Sequence, residues 1–204
     1  QSTRTTWSVT PAVIPATTRG PAGYCPNGRL MRSHEPTGNL NEKVGLGGGC
    51  HWCTEAVFTT LRGVGRIEQG FICSAPPHDT FSEGVVVYFD PEIIRLADLI
   101  EIHLQTHAST SQHALRNKYR SAVYVCSPQQ AREATAVLGK LLQVSNKPLV
   151  TRVLDFAGLK SSEPKFLRYF QKNSGNQFCE RYIDPKLERL RTDYARFFVG
   201  PASE

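Results

Sequence analysis

No stretch of this chain approaches the roughly 20 consecutive apolar residues that a membrane-spanning helix needs, so no membrane role is expected. Acidic residues are missing from the first 34 positions, where Arg4, Arg19, Arg29 and Arg32 sit among Thr, Pro, Ser and Gly. Such a segment buries too little apolar surface to order itself. It predicts an extended arm over residues 1–38, either a disordered arm or the remnant of a targeting segment, ahead of a single domain over 39–204. The start at Gln1 reads as processing or trimming, and with the acid-free arm it hints at an imported or exported protein. Methionine is nearly absent: Met31 is the single one, which suits life among oxidants. Clusters of basic residues are missing as well. The net charge of +6 is scattered along the chain, so nucleic-acid binding, which favours a patch, is not expected. Six cysteines in 204 residues are too few for a disulfide scaffold and leave room for a redox-active pair plus spare thiols.

What is present is ordinary globular material, 40% apolar and 21% charged, enough for one substantial core and an expected monomer. Its most informative stretch is Gly47-Gly48-Gly49-Cys50-His51-Trp52-Cys53-Thr54-Glu55. A short apolar run enters three glycines, and a cysteine follows where a helix should begin. Unpaired backbone N–H groups and the positive end of the helix dipole favour thiolate there, and the thiolate is the reactive form. Cys50 is therefore a candidate nucleophile. Cys53, three residues on, shares its helix face, so the two sulfurs can meet. A zinc site is disfavoured because no second C-x-x-C or close His pair exists. Haem attachment would need His where Thr54 stands. Cys25, in the turn-rich Gly23–Gly28 stretch, reads as a surface thiol.

Patterning predicts strands over Lys43–Leu46, Val64–Cys73, Glu83–Phe89, Tyr119–Cys126 and Leu149–Phe156. Helices are predicted over Cys50–Arg62, from Asp90-Pro91 onward, from Pro128 through Val144, over Glu163–Gln171 and over Asp184–Phe198. The order strand–helix–strand–strand–helix–strand–helix–strand predicts an α/β (α+β) two-layer sandwich with a mixed sheet and a ferredoxin-like core, preceded by the extended arm.

Gly48–Phe58 followed by Leu61-Arg62-Gly63-Val64 resembles the active-site segment of the A-type peptide methionine sulfoxide reductases, usually Gly-Cys-Phe-Trp-Gly or Gly-Cys-Phe-Trp-Cys. Glu83–Pro91 resembles the segment with that family's active-site glutamate, and Lys118–Tyr124 its Gln-Tyr-Arg-Ser block. Glu163–Gln171 and Phe178-Cys179 resemble its C-terminal segments, where a resolving cysteine is common. The matches run in order from about residue 43 to 191. The resemblance implies thiol-dependent reduction of methionine S-sulfoxide in peptides. Cys50 would attack the sulfoxide sulfur, a protonated Glu83 in a largely apolar pocket would supply the proton, and Tyr119 would hydrogen-bond the same oxygen. Trp52 would pack on the substrate methyl group, beside His51. The resulting sulfenic acid would condense with a second thiol, Cys179 by the family pattern or Cys53 by spacing. No cofactor is implied beyond an external dithiol, thioredoxin being the expected reductant and oxidised methionine in peptides or proteins the other partner.

The chain departs from the family pattern in its substrate shell. His51 replaces the usual phenylalanine. The loop between Phe71 and Glu83 is short and provides no second active-site tyrosine. Ala108-Ser109 follows His107 where the family has Asp-Pro, no acid lies between Ser109 and Lys118, and Thr80-Phe81-Ser82 precedes Glu83. His51, His107 and His113 are the available replacement donors. The alternative expectation is a diverged member that senses redox state or binds without turning over sulfoxide.

Overall fold

The computed structural model describes Leu40, residues 42–145 and residues 147–201. The arm expected over 1–38, with Cys25 and Met31, lies outside these residues. The described chain runs β1 (Glu42–Gly47), α1 (His51–Thr59), β2 (Val64–Cys73), β3 (Ser82–Phe89), α2 (Leu96–Thr106), β4 (Ala122–Val125), α3 (Pro128–Val144), β5 (Arg152–Asp155), β6 (Gly158–Ser161), α4 (Tyr169–Asn173), α5 (Gln177–Tyr182) and α6 (Asp184–Asp193). Short 3-10 turns occupy Ala114–Asn117 and Pro164–Phe166.

The strands form one six-stranded mixed sheet in the order β5-β4-β1-β3-β2-β6. β4 and β5 pair in parallel, and the other neighbours are antiparallel. Period-two alternation gives the sheet two unlike faces. Val44 and Leu46 of β1 stand beside Val87 and Val85 of β3, and Leu46 also faces Val123 of β4. This face carries the main core, filled from above by Val57 and Phe58 of α1 and by Leu99, Ile100 and Ile102 of α2. The opposite face holds a smaller cluster of Ile72, Val86, Ala122 and Tyr124.

Several element bounds differ from the sequence expectation for local reasons. α2 begins at Leu96 rather than at Asp90. The Asp90 carbonyl and carboxylate close a turn through Glu92, Ile93 and Ile94, and Arg95 is then extended. α1 stops at Thr59, because Leu61 leaves it to bridge Phe198. β6 carries a weak pattern, Gly-Leu-Lys-Ser, and exists by pairing with the edge of β2. The segment expected as one helix over Glu163–Gln171 divides at Arg168, which adopts a left-handed φ of 54°. α5, only six residues long, has too few apolar positions to announce itself.

Topology brings the chemically interesting segments together. β1 is central, and its last residue, Gly47, pairs with Gly84 on one side and with Ala122 on the other. The loop after β1, the start of β3 and the approach to β4 therefore share one end of the sheet. Cys50, Glu83 and Tyr119 lie on those three segments.

Candidate active site

Cys50 is the N-cap of α1, with φ −57° and ψ 125°. Its thiol is held below the ordinary thiol range, first by a hydrogen bond from the Cys53 side chain. Burial opposes this, the backbone N–H groups of Cys53 and Trp52 add to it, and the charge of Glu83 works against it. Cys53 is pushed far up, first because its proton is engaged by Cys50, then by burial and by the Cys50 charge. Of the two, Cys50 is therefore the one that gives up its proton first, and Cys53 is the one that keeps it.

The loop feeding Cys50 is clamped from α2. His103, fully buried, donates through Nε2 to the Gly47 carbonyl at 2.8 Å. His107 stacks on His103 at 4.1 Å between ring centroids and donates through Nδ1 to the His103 carbonyl at 2.6 Å. A Cβ at Gly48 would lie 2.4 Å from Cδ2 of His107, which explains the glycine there. Arg116 also fastens the region, donating to the carbonyls of Gly48 (3.3 Å), Tyr119 (3.1 Å) and Ser111 (2.9 Å). Burial keeps both imidazoles neutral: His103 is pushed well below the usual histidine range, and His107 is lowered to about 4.

Glu83 is buried, 7% exposed, and is held from three sides. Its Oε2 accepts the His51 backbone N–H at 3.3 Å and lies 3.7 Å from His51 Nδ1, and its Oε1 lies 3.5 Å from Lys118 Nζ. The surroundings are polar, unlike the largely apolar pocket expected from the sequence. His51 is not a free wall of a methyl pocket. Its Nδ1 lies 3.2 Å from the Gly70 carbonyl, its ring meets Phe71 edge-on, and burial lowers its pKa. It is a support for Glu83.

A cavity of about 420 Å³ opens beside Cys50 and Cys53. Tyr119, His107, His113, Leu115, Phe178 and Lys186 are on its wall. Trp52 is not. Its indole stacks on Tyr169 at 4.1 Å with the planes 5° apart, and Phe178 meets it edge-on at 5.6 Å. Cys179 is fully buried at the start of α5 and is pushed up, first by burial. It lies close enough to Cys53 for their charges to interact.

Two residues missed in the sequence belong to this site. Lys118 adjoins both Glu83 and Tyr119, and its pKa is raised by Tyr119 first and then by Glu83. Its position directly before Tyr119 was the available signal. Lys186, on α6, had none, because its relation to Cys50 is created only by the chain's return over α1.

An N-capping thiolate, a neighbouring thiol and a buried carboxyl at the end of an α/β sheet define a thiol-based redox enzyme. A family model described as peptide methionine sulfoxide reductase matches residues 42–196. The peptide methionine sulfoxide reductase MsrA of Thermus thermophilus is 34% identical over 160 residues, covering 72% of this chain and 91% of that protein. Methionine sulfoxide reductase A of Corynebacterium diphtheriae shares 25% identity with a TM-score of 0.55, over 65% of this chain and 74% of that one. Mxr1 of Saccharomyces cerevisiae, solved in complex with Trx2, aligns with a TM-score of 0.51 at 17% identity, over 63% and 84% of the two chains. This chain belongs to the peptide methionine sulfoxide reductase family, and it is an enzyme of the A type, a peptide-methionine (S)-S-oxide reductase.

Proposed function

We propose that a single catalytic domain over 39–204, built on a ferredoxin-like β1–α1–β2–β3–α2–β4 core in two layers, reduces the sulfoxide through Cys50. The Cys50 thiolate attacks the sulfur of a methionine S-sulfoxide seated in the cavity. A bond forms from Cys50 to that sulfur, and the sulfoxide oxygen takes a proton from Glu83. Tyr119 hydrogen-bonds the same oxygen, and Lys118, next to both, steadies the carboxylate left behind. Oxygen passes to Cys50, methionine leaves, and Cys50 is a sulfenic acid. The observation that carries this reading is the meeting of a stabilised thiolate, a buried carboxyl and a phenol at one end of the sheet.

Cys53 resolves the sulfenic acid. It lines the same cavity as Cys50, three residues on along α1, whereas Cys179 is fully buried and off that wall. Cys179 then serves as a reserve thiol that can take over the bond from Cys53 by exchange. A dithiol protein such as thioredoxin restores the thiols; the complex of the yeast protein with Trx2 supports that class of reductant. Trp52 holds the cavity wall through Phe178 and does not touch the substrate.

The test is a dithiothreitol-driven assay on a peptide carrying methionine S- or R-sulfoxide. The S epimer is turned over and Cys50→Ser is inactive. Turnover of neither epimer by the wild type, or activity in Cys50→Ser, defeats the reading. Cys53→Ser loses turnover with thioredoxin, and if Cys179→Ser is the variant that loses it, the order of the two thiols is reversed.

A further inference from the structure

Among the described residues lining the Cys50 cavity, Lys186 is the one lysine, arginine or carboxylate residue. It projects from the first turn of α6, and its Nζ donates to the Thr106 carbonyl at the end of α2. That bond holds the ammonium on the cavity wall shared with Cys50 and Cys53. The rest of the wall is largely apolar, with Leu115, Phe178 and Tyr182 prominent, and charge acts further in such surroundings than in water. The cation and the sulfurs sense one another. Burial lowers the Lys186 pKa, and the charges of Cys53 and Cys50 raise it.

We propose that Lys186 is a positioning residue for the resolving step, holding the positive charge that lets Cys53 attack once Cys50 has been oxidised. The inference rests on Cys53 as the resolving thiol. In the reduced enzyme four influences hold the proton on Cys53, namely its interaction with the Cys50 sulfur, burial, the Cys50 charge and, last, Cys179, with Lys186 opposing. Oxygen transfer turns the Cys50 thiolate into a neutral sulfenic acid. The Cys50 charge is then gone, and the hydrogen bond to a thiolate with it. Burial and the smaller effect of Cys179 are left facing Lys186, and the balance at Cys53 moves towards thiolate.

The Cys53 thiolate then attacks the Cys50 sulfur. The Cys50 S–O bond breaks as the Cys50–Cys53 S–S bond forms, and the oxygen leaves as water, taking up the proton released from Cys53. Cys50 sulfur is reduced and Cys53 sulfur oxidised by one unit each, so no outside electrons are required. The other titratable groups around Cys53 are Cys179 on α5, whose charge would raise it, and Glu83, which acts on it through Cys50. His107, His113, Tyr119 and Tyr182 complete the titratable wall. On the far side of Lys186, Arg189 lowers its pKa. The lysine thus sets the timing: Cys53 keeps its proton before oxygen transfer and acts as nucleophile after it.

The experiment mixes reduced enzyme with a methionine-S-sulfoxide peptide without reductant and quenches at intervals. It follows peptide methionine and, by alkylation and mass spectrometry, the Cys50–Cys53 disulfide. In Lys186→Met, disulfide formation slows about tenfold relative to methionine release near neutral pH, and its pH midpoint rises by about one unit. Lys186→Arg, which keeps the charge, restores both the ratio and the midpoint. An unchanged ratio and midpoint in Lys186→Met, or an arginine variant as slow as the methionine one, overturns the proposal. Absence of a Cys50–Cys53 bond in the wild type overturns the resolving assignment itself, and this is seen before any lysine variant is made.

Discussion

At the scale of single residues, the site is organised by who holds a proton. Cys50 is stabilised as thiolate by the Cys53 thiol and by two backbone N–H groups, so the helix start and the second cysteine act together. The proposed mechanism takes its proton from Glu83, whose buried carboxyl is kept in place by the His51 backbone N–H and the Lys118 ammonium. Glu83→Gln preserves the acceptor for His51 and removes the acid. Single-turnover methionine release should fall by roughly 10²–10⁴-fold, the usual contribution of general acid catalysis. A rate within a factor of a few of wild type would take Glu83 out of the mechanism. His51 shows why a family departure need not damage a site. The imidazole finds the Gly70 carbonyl and faces Glu83, so a polar ring replaces an apolar one as part of the glutamate's support.

At the scale of elements, the end of α2 acts as a clamp on the glycine loop. His103 and His107 lie one turn apart, stack, and bind Gly47 directly and Gly48 by contact. Both are neutral in the fold, which makes the clamp sensitive to acid. The folded pKa of His107, about 4, lies below the ordinary 6.5, so the unfolded chain binds more protons between those values. Stability from this group is therefore complete above about pH 6.5 and is lost as pH falls towards about 4, amounting to about 3 kcal/mol for His107. Denaturant unfolding across that window should show the slope, and His107→Gln should flatten it. Equal slopes in the two proteins would mean that other groups govern the acid limb.

At the scale of the whole molecule, the C-terminal helices return over α1. α4, α5 and α6 lie against α1, and the joint is aromatic: Trp52 stacks on Tyr169 and meets Phe178, which meets Tyr182. Glu55 reinforces it by accepting the Arg168 backbone N–H at 3.2 Å. The return seals Cys179, brings Lys186 to the cavity and forms part of its wall. Trp52→Ala should cost about 3 kcal/mol in urea unfolding, towards the lower end for removal of a large aromatic because the indole is half-buried. It should also expose Cys179 to a thiol reagent in the native state. Unchanged Cys179 labelling would show that the aromatic joint does not close this part of the molecule. Among the described residues no helix is long and apolar enough to cross a membrane, in keeping with the lack of long apolar runs.

The sequence alone was enough for whatever depends on neighbours along the chain. A cysteine after glycines at a helix start is influenced by groups within its own first turn, so Cys50 could be proposed as the nucleophile before any fold was known. β2 was bounded correctly, and β1 and β3 to within one residue at each end, because their apolar alternation is local. Glu83 and Tyr119 could be named through the family resemblance, and the pairing of Gly47 with Gly84 and Ala122 gives the physical reason they meet Cys50. The rest required the folded chain. That Trp52 stacks on Tyr169 and leaves the cavity wall, that Cys179 is sealed, and that Lys186 reaches two cysteines far behind it are contacts between distant segments. Neither periodicity nor spacing carries them. They arise when the C-terminal helices cover α1, which buries Cys179 and puts Lys186 on the wall of the Cys50 cavity.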